Sequence, residues 1–180
     1  YAEHYFNYVD DGFSMIGNLS DTFKSGKIEN VDLLIGSNND EWSLYFDGNV
    51  NISLWLDKET TPEKKIKLLQ LLDHIKDPVR KMDLLITAKN FVCPSLFMAD
   101  ELGKKGGKTW VYQFNRVRDD KLAKKYGAFH GAELPYVFDT HDEWLPTNEK
   151  DRKLTREIQS YWLSFAKTGN PNNGDSVTWP

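Results

Sequence analysis

Two side chains in this 180-residue chain combine types and settings suited to nucleophilic hydrolysis, the carboxylate of Glu41 and the imidazole of His130. In such a pair the acid holds the imidazole in one tautomer and stabilises the imidazolium that forms when the base takes a proton from an attacking hydroxyl. His130 lies in Gly127-Ala128-Phe129-His130-Gly131-Ala132-Glu133-Leu134-Pro135, where small neighbours let the backbone approach closely or adopt positive φ. A turn histidine can also simply cap a carbonyl, and the residues alone leave both roles open. His74 falls in a helical pattern and His4 near the start of the chain. His141, in Thr140-His141-Asp142-Glu143, reads as a solvated loop residue, because three adjacent loop residues rarely converge on a metal and no HExxH spacing occurs.

The matching nucleophile is not visible. An α/β-hydrolase presents its serine in G-x-S-x-G, and the nearest approach, Gly12-Phe13-Ser14-Met15-Ile16-Gly17, carries its second glycine one position late, so Ser14 reads as a loop residue. The single Cys93 precedes Pro94 among apolar residues, where a thiol is inert, and being alone it excludes an internal disulfide framework and a cysteine metal cluster. No cofactor-binding or metal-binding motif is expected.

The elements that must carry these groups follow from periodicity. Val31-Asp32-Leu33-Leu34-Ile35-Gly36 predicts a buried parallel strand, with a polar loop from Ser37 to Glu41 after it. Thr109-Trp110-Val111-Tyr112-Gln113-Phe114 predicts a second strand, its residues aromatic and β-branched. Ligands bind beyond the carboxyl ends of such strands, which is where Glu41 and His130 fall. Thr61 before Pro62 predicts a helix start, with Ile66, Leu69, Leu72 and Ile75 on one face of a surface helix. Lys81 to Leu102 predicts a helix kinked or split at Pro94 and ended by Gly103, Gly106 and Gly107. Leu154, Ile158, Tyr161, Trp162 and Phe165 stripe a last helix that stops at Gly169 before Asn170-Pro171. Strands alternating with helices predict an α/β architecture with a mostly parallel sheet. Two strands cannot satisfy a doubly covered parallel sheet, so the chain is expected to be part of something larger.

A composition 39% hydrophobic and 13% aromatic is that of an ordinary folded domain. Lys+Arg 23 against Asp+Glu 27 gives a net charge of -4, so nucleic acid is not an expected partner. The apolar runs are shorter than a membrane span requires, so none is expected. Tyr1-Ala2-Glu3-His4 has neither a basic nor an apolar leader region, and localisation stays open. Asn18-Leu19-Ser20 and Asn51-Ile52-Ser53 are glycosylation sequons that matter only in a secreted protein.

Four segments, in order, resemble the type-B carboxylesterase and cholinesterase family. They are Val9-Asp10-Asp11-Gly12 leading through Phe23, Gly26 and Lys27 to Val31–Glu41, then Phe91-Val92-Cys93-Pro94, then the loop Gly127–Phe138, and last Gln159–Asn172 with Trp179-Pro180 near its end. The resemblance implies that residues 1-180 are the C-terminal part of a single α/β-hydrolase domain, a mostly parallel sheet flanked by helices and incomplete without its upstream half. It implies a serine carboxylic-ester hydrolase in which Glu41 is the triad acid and His130 the general base, in the chain order Ser…Glu…His. The nucleophile elbow and oxyanion hole would lie upstream of Tyr1, the partner would be that missing N-terminal half, the substrate a small-molecule ester, and the isolated chain inactive. Trp42 departs from the glycine that usually follows the acid; by the same alignment Leu44 and Tyr45, with Trp42, are candidate pocket-lining residues. In some relatives the Cys93 position is disulfide-bonded to a cysteine near the C-terminus, which here would lie beyond Pro180. The alternative is a catalytically inactive esterase-like binding or adhesion protein, since some members of the family keep the fold and lose the triad.

Overall fold

In the sequence, residues 109–114 alternate large aromatic side chains on one face with smaller groups on the other, and that alternation organises the fold. The computed structural model describes residues 11–13, 17–26, 28–46, 48–141, 146–174 and 176–180. His4, Val9, Asp10, Ser14, Lys27, Asp142 and Glu143, singled out above, lie outside the described residues. Strand β1 (Leu33–Asn38) pairs in parallel with β2 (Thr109–Phe114), Leu33 opposite Thr109 and Asn38 opposite Phe114.

β2 coincides with its expected range, whereas β1 starts and ends two residues later than expected. The cause is Gly36. It does not end the strand but sits inside it, where any Cβ would collide with the carbonyl oxygen and ring of Tyr112. The strand therefore runs on through Ser37 and Asn38, polar residues that are both buried. At the other end Val31 is exposed, and the Asp32 carboxylate accepts the Lys108 N–H at 2.9 Å.

Helices α1 (Leu19–Lys24) and α2 (Ile52–Glu59) have no counterpart in the periodicity analysis. Their N-caps are the sequon asparagines, Asn18 accepting from Ser20 N–H at 2.8 Å and Asn51 from Leu54 N–H at 2.9 Å. Helix α3 (Pro62–Leu71) starts as expected at the Thr61 cap, ends before Leu72, and leaves Ile66 and Leu69 exposed.

Helix α4 (Pro78–Thr87) begins on the Asp77 cap, earlier than expected, and leads through one π-helical turn (Ala88–Val92) into α5 (Cys93–Lys104). The irregularity expected at Pro94 thus takes the form of a wide turn just before it, which absorbs the hydrogen bond that proline cannot donate. The whole rod, Pro78–Lys104, is long and apolar enough to cross a membrane by length and composition, although it contains no unbroken apolar run of that size. In this fold α5 packs on both strands, with Ser95, Ala99 and Leu102 buried.

The opposite face of β2 carries the aromatic residues. Helices α6 (Lys121–Tyr126), α7 (Leu134–Phe138) and α8 (Glu149–Thr168) complete the chain. Trp110 meets Phe165, Tyr112 meets Trp162, and Phe114 meets Tyr136, with ring centroids 5.6, 5.0 and 5.1 Å apart. Leu154 and Ile158 of α8 pack on the same buried cluster. A capping box between Asn148 and Asp151 starts α8, and Gly169 at φ 69° ends it.

Asp151 is fully buried at that helix start, accepting from Arg116 Nε at 2.8 Å, the Tyr136 hydroxyl at 2.7 Å and Asn148 N–H at 3.0 Å. Burial pushes its pKa up, but the Arg116 guanidinium and the other two donors outweigh that and hold it below the usual carboxylate value. A depressed folded-state pKa gives stability that is present above the unfolded value and lost as pH falls through the folded one. Asp151→Asn should therefore lower the urea midpoint at pH 7 and flatten its decline as pH falls below the ordinary Asp value of about 4. Parallel pH curves for the two proteins would show that Asp151 is not a source of acid sensitivity.

Candidate active site

Both parts of the site hang from the carboxyl ends of the two strands. β1 leads directly into the turn that carries Glu41, and from β2 the chain passes through α6 to the loop that carries His130. Asp40 forms an isolated parallel bridge with Phe129, its N–H donating to the Ala128 carbonyl at 3.1 Å. Its carboxylate accepts the Ala128 N–H at 2.8 Å. Gly127 must be glycine here on two counts, a φ of 73° and the Asp40 carboxylate standing where a Cβ would be.

This stitching brings His130 Nδ1 to 2.7 Å from Glu41 Oε2. Glu41 is 4% exposed, and its other oxygen accepts the Asn38 N–H at 2.6 Å. The His130 side chain, in contrast, is 52% exposed. A buried carboxylate with both oxygens engaged orients an imidazole whose far side remains accessible, the arrangement in which one ring nitrogen is held and the other can exchange protons. Asn38 spans the junction, its amide donating to the Phe129 carbonyl at 2.8 Å and to the Glu133 carboxylate.

Of the candidate pocket residues, Tyr45 and Trp42 gather at His130 through a third aromatic, Phe91, which the sequence places in a family-like segment but not in the pocket. Its ring lies 5.6 Å from the imidazole and that of Tyr45 lies 6.5 Å away. Trp42 sits against Tyr45 at 4.8 Å and Phe91 at 6.4 Å. Phe91 belongs to the π-helical turn, which no spacing rule would have located. Leu44 is half-buried in the short 3₁₀ turn Ser43–Tyr45. His130 also lines a cleft of about 290 Å³, together with Arg116, Arg118, Phe129, Leu134 and Thr140, among others.

His141 corrects its expectation. Its side chain is 2% exposed, not solvated, because Nε2 meets the Thr155 hydroxyl at 2.6 Å, Nδ1 meets Arg118 at 3.2 Å, and the ring stands edge-on to Tyr136. Burial, then the positive charges of Arg118 and Arg152, hold its pKa below the usual histidine value, so it is a neutral structural residue. Cys93 also differs from expectation: it is exposed at the start of α5 rather than enclosed by apolar neighbours. Among the described residues no group of three His, Cys, Asp or Glu side chains could hold a metal ion.

Known proteins resemble this chain in sequence and in fold. Acetylcholinesterase 1 of Caenorhabditis elegans is 27% identical over 96% of this chain and 34% of its own length. Carboxylesterase 4A of Bos taurus is 29% identical over 96% of this chain and 36% of its own length. A solved PNB esterase superposes with a TM-score of 0.76 at 27% identity, covering 98% of this chain and 37% of that one. The chain thus spans about a third of the length of the relatives it matches. Its structural neighbours are esterases of the α/β-hydrolase fold, of which this small parallel sheet and its helices are one part. The family model described as the carboxylesterase family matches residues 3–180, and the chain belongs to that family.

Proposed function

We propose that this chain is the C-terminal part of one α/β-hydrolase domain and supplies the acid, Glu41, and the general base, His130, of a serine carboxylesterase. The observation that carries the reading is the 2.7 Å contact between a buried carboxylate and a half-exposed imidazole beyond the carboxyl ends of two parallel strands. Glu41 holds the proton on Nδ1, which leaves the Nε2 lone pair as the base. A serine hydroxyl contributed by the rest of the domain attacks the ester carbonyl as Nε2 takes its proton. The imidazolium returns that proton to the departing alcohol, leaving an acyl-enzyme. Water then attacks the acyl carbon in the same way, releasing the acid and the free serine. Trp42, Tyr45 and Phe91 form an apolar wall beside the base, suited to the acyl or alcohol group of a small uncharged ester.

The test is hydrolysis of a short p-nitrophenyl ester by the full-length protein. Turnover is expected from it and not from residues 1-180 alone. A full-length sequence whose nucleophile elbow lacks serine, or activity in the purified 180-residue chain, would reject the assignment.

A further inference from the structure

A triad acid is useful only while its carboxylate stays aimed at the imidazole, and the groups that aim Glu41 come largely from outside its own loop. The N–H groups of three successive residues in the turn are each taken by a different partner. Asp40 N–H goes to the Ala128 carbonyl, Glu41 N–H to Thr87 Oγ1 at 3.2 Å, and Trp42 N–H to Asp83 Oδ1 at 2.8 Å. Asp83 and Thr87 stand one turn apart on α4 and are themselves joined at 3.4 Å. Arg80, a further turn back, ties the Asp83 carboxylate at 2.7 Å to that of Asp40.

Resting on the triad reading above, we propose that Asp83 is a positioning residue for the Glu41–His130 pair, acting with Thr87 and Arg80 to clamp the acid turn onto α4. Asp83 is 1% exposed, so its charge is not there for solubility. An ionised carboxylate accepts a backbone N–H more strongly than a neutral group does, which makes the Trp42 N–H contact a stiff anchor immediately after the acid. The same cluster reaches the base through Asp40, which holds the Ala128 backbone two residues before His130. One polar unit on α4 therefore fixes both halves of the pair, and a shift of about 1 Å in such a support lowers turnover by up to roughly 100-fold.

The experiment is a double-mutant cycle in the full-length protein, read as kcat and KM for the p-nitrophenyl ester, with urea midpoints to confirm folding. Asp83→Asn should lower kcat roughly 10- to 100-fold and leave KM within about twofold, as expected when only transition-state alignment is lost. Thr87→Val should do the same and Thr87→Ser, which keeps the hydroxyl, should not. In a Glu41→Gln background Asp83→Asn should change kcat less than about threefold, because nothing remains to be positioned. Equal fold-losses in both backgrounds, or a raised KM at unchanged kcat, would overturn the proposal while leaving the triad intact. A Glu41→Gln protein with wild-type kcat would instead remove the triad reading and this inference with it. The downfield Nδ1–H proton signal of ¹⁵N-labelled His130 gives a readout independent of turnover: it should shift or broaden in Asp83→Asn, and an unchanged signal would count against the clamp.

Discussion

Replacing His130 with alanine should lower kcat for a short p-nitrophenyl ester roughly 10⁴- to 10⁶-fold in the full-length protein, the scale on which removal of a triad base acts. The half-exposed imidazole reaches the buried Glu41 carboxylate at 2.7 Å. Without it a serine hydroxyl would have to ionise unaided at neutral pH, and the residual rate would come from substrate binding and oxyanion stabilisation alone. Stability should change less. The side chain is half-exposed and its loss deletes one hydrogen bond, leaving a carboxylate oxygen of Glu41 without its partner at a cost of about 1–3 kcal/mol. The discriminating result is a folded His130→Ala protein with almost no turnover. Wild-type kcat in that variant would mean that the base lies elsewhere.

How much of this could be read from the sequence differed by element, for physical reasons. β2 and α8 were legible because their signals are local: consecutive aromatic and β-branched residues in one, an apolar stripe with a glycine stop in the other. The end of β1 was misplaced because glycine carries two opposite messages. Gly36 reads as a terminator, yet its role is to let two strands approach where Tyr112 leaves no room for a side chain. Ser37 and Asn38 read as loop because polar residues usually face water, and only the tertiary structure supplies the partners that let Asn38 be buried.

The site divides in the same way. Glu41 and His130 could be named because the segments Val31–Glu41 and Gly127–Phe138 resemble those of the carboxylesterase family; their places beyond the strand ends alone left both roles open. Asp83, Arg80 and Thr87 could not, since they meet the acid turn across some 40 residues of chain and look from sequence like ordinary helix positions. Phe91 could be placed in a helical, family-like segment but not beside His130, because that contact joins distant parts of the chain.

Glu41→Gln should lower kcat by about 10⁴-fold with KM nearly unchanged, by inverting the hydrogen bond that sets the tautomer. The amide can still accept the Asn38 N–H through its oxygen, which places its NH₂ group towards His130 Nδ1. Nδ1 must then accept rather than donate, the ring proton moves to Nε2, and the lone pair needed to take the serine proton is lost. The substitution keeps the volume of the side chain and removes a buried charge, so folding stability should change little. That separates chemistry from collapse more cleanly than alanine would. Glu41→Asp should fall between, since it retains the charge but withdraws the carboxylate by about 1.5 Å, one carbon–carbon bond. The neighbouring carboxylates are committed elsewhere: Asp40 to Arg80 and Ala128, Asp83 to Arg80 and Trp42, Glu133 to Asn38. None of them is placed to take over the histidine, so a kcat within tenfold of wild type in Glu41→Gln would mean that the orienting acid comes from outside the described residues of this chain.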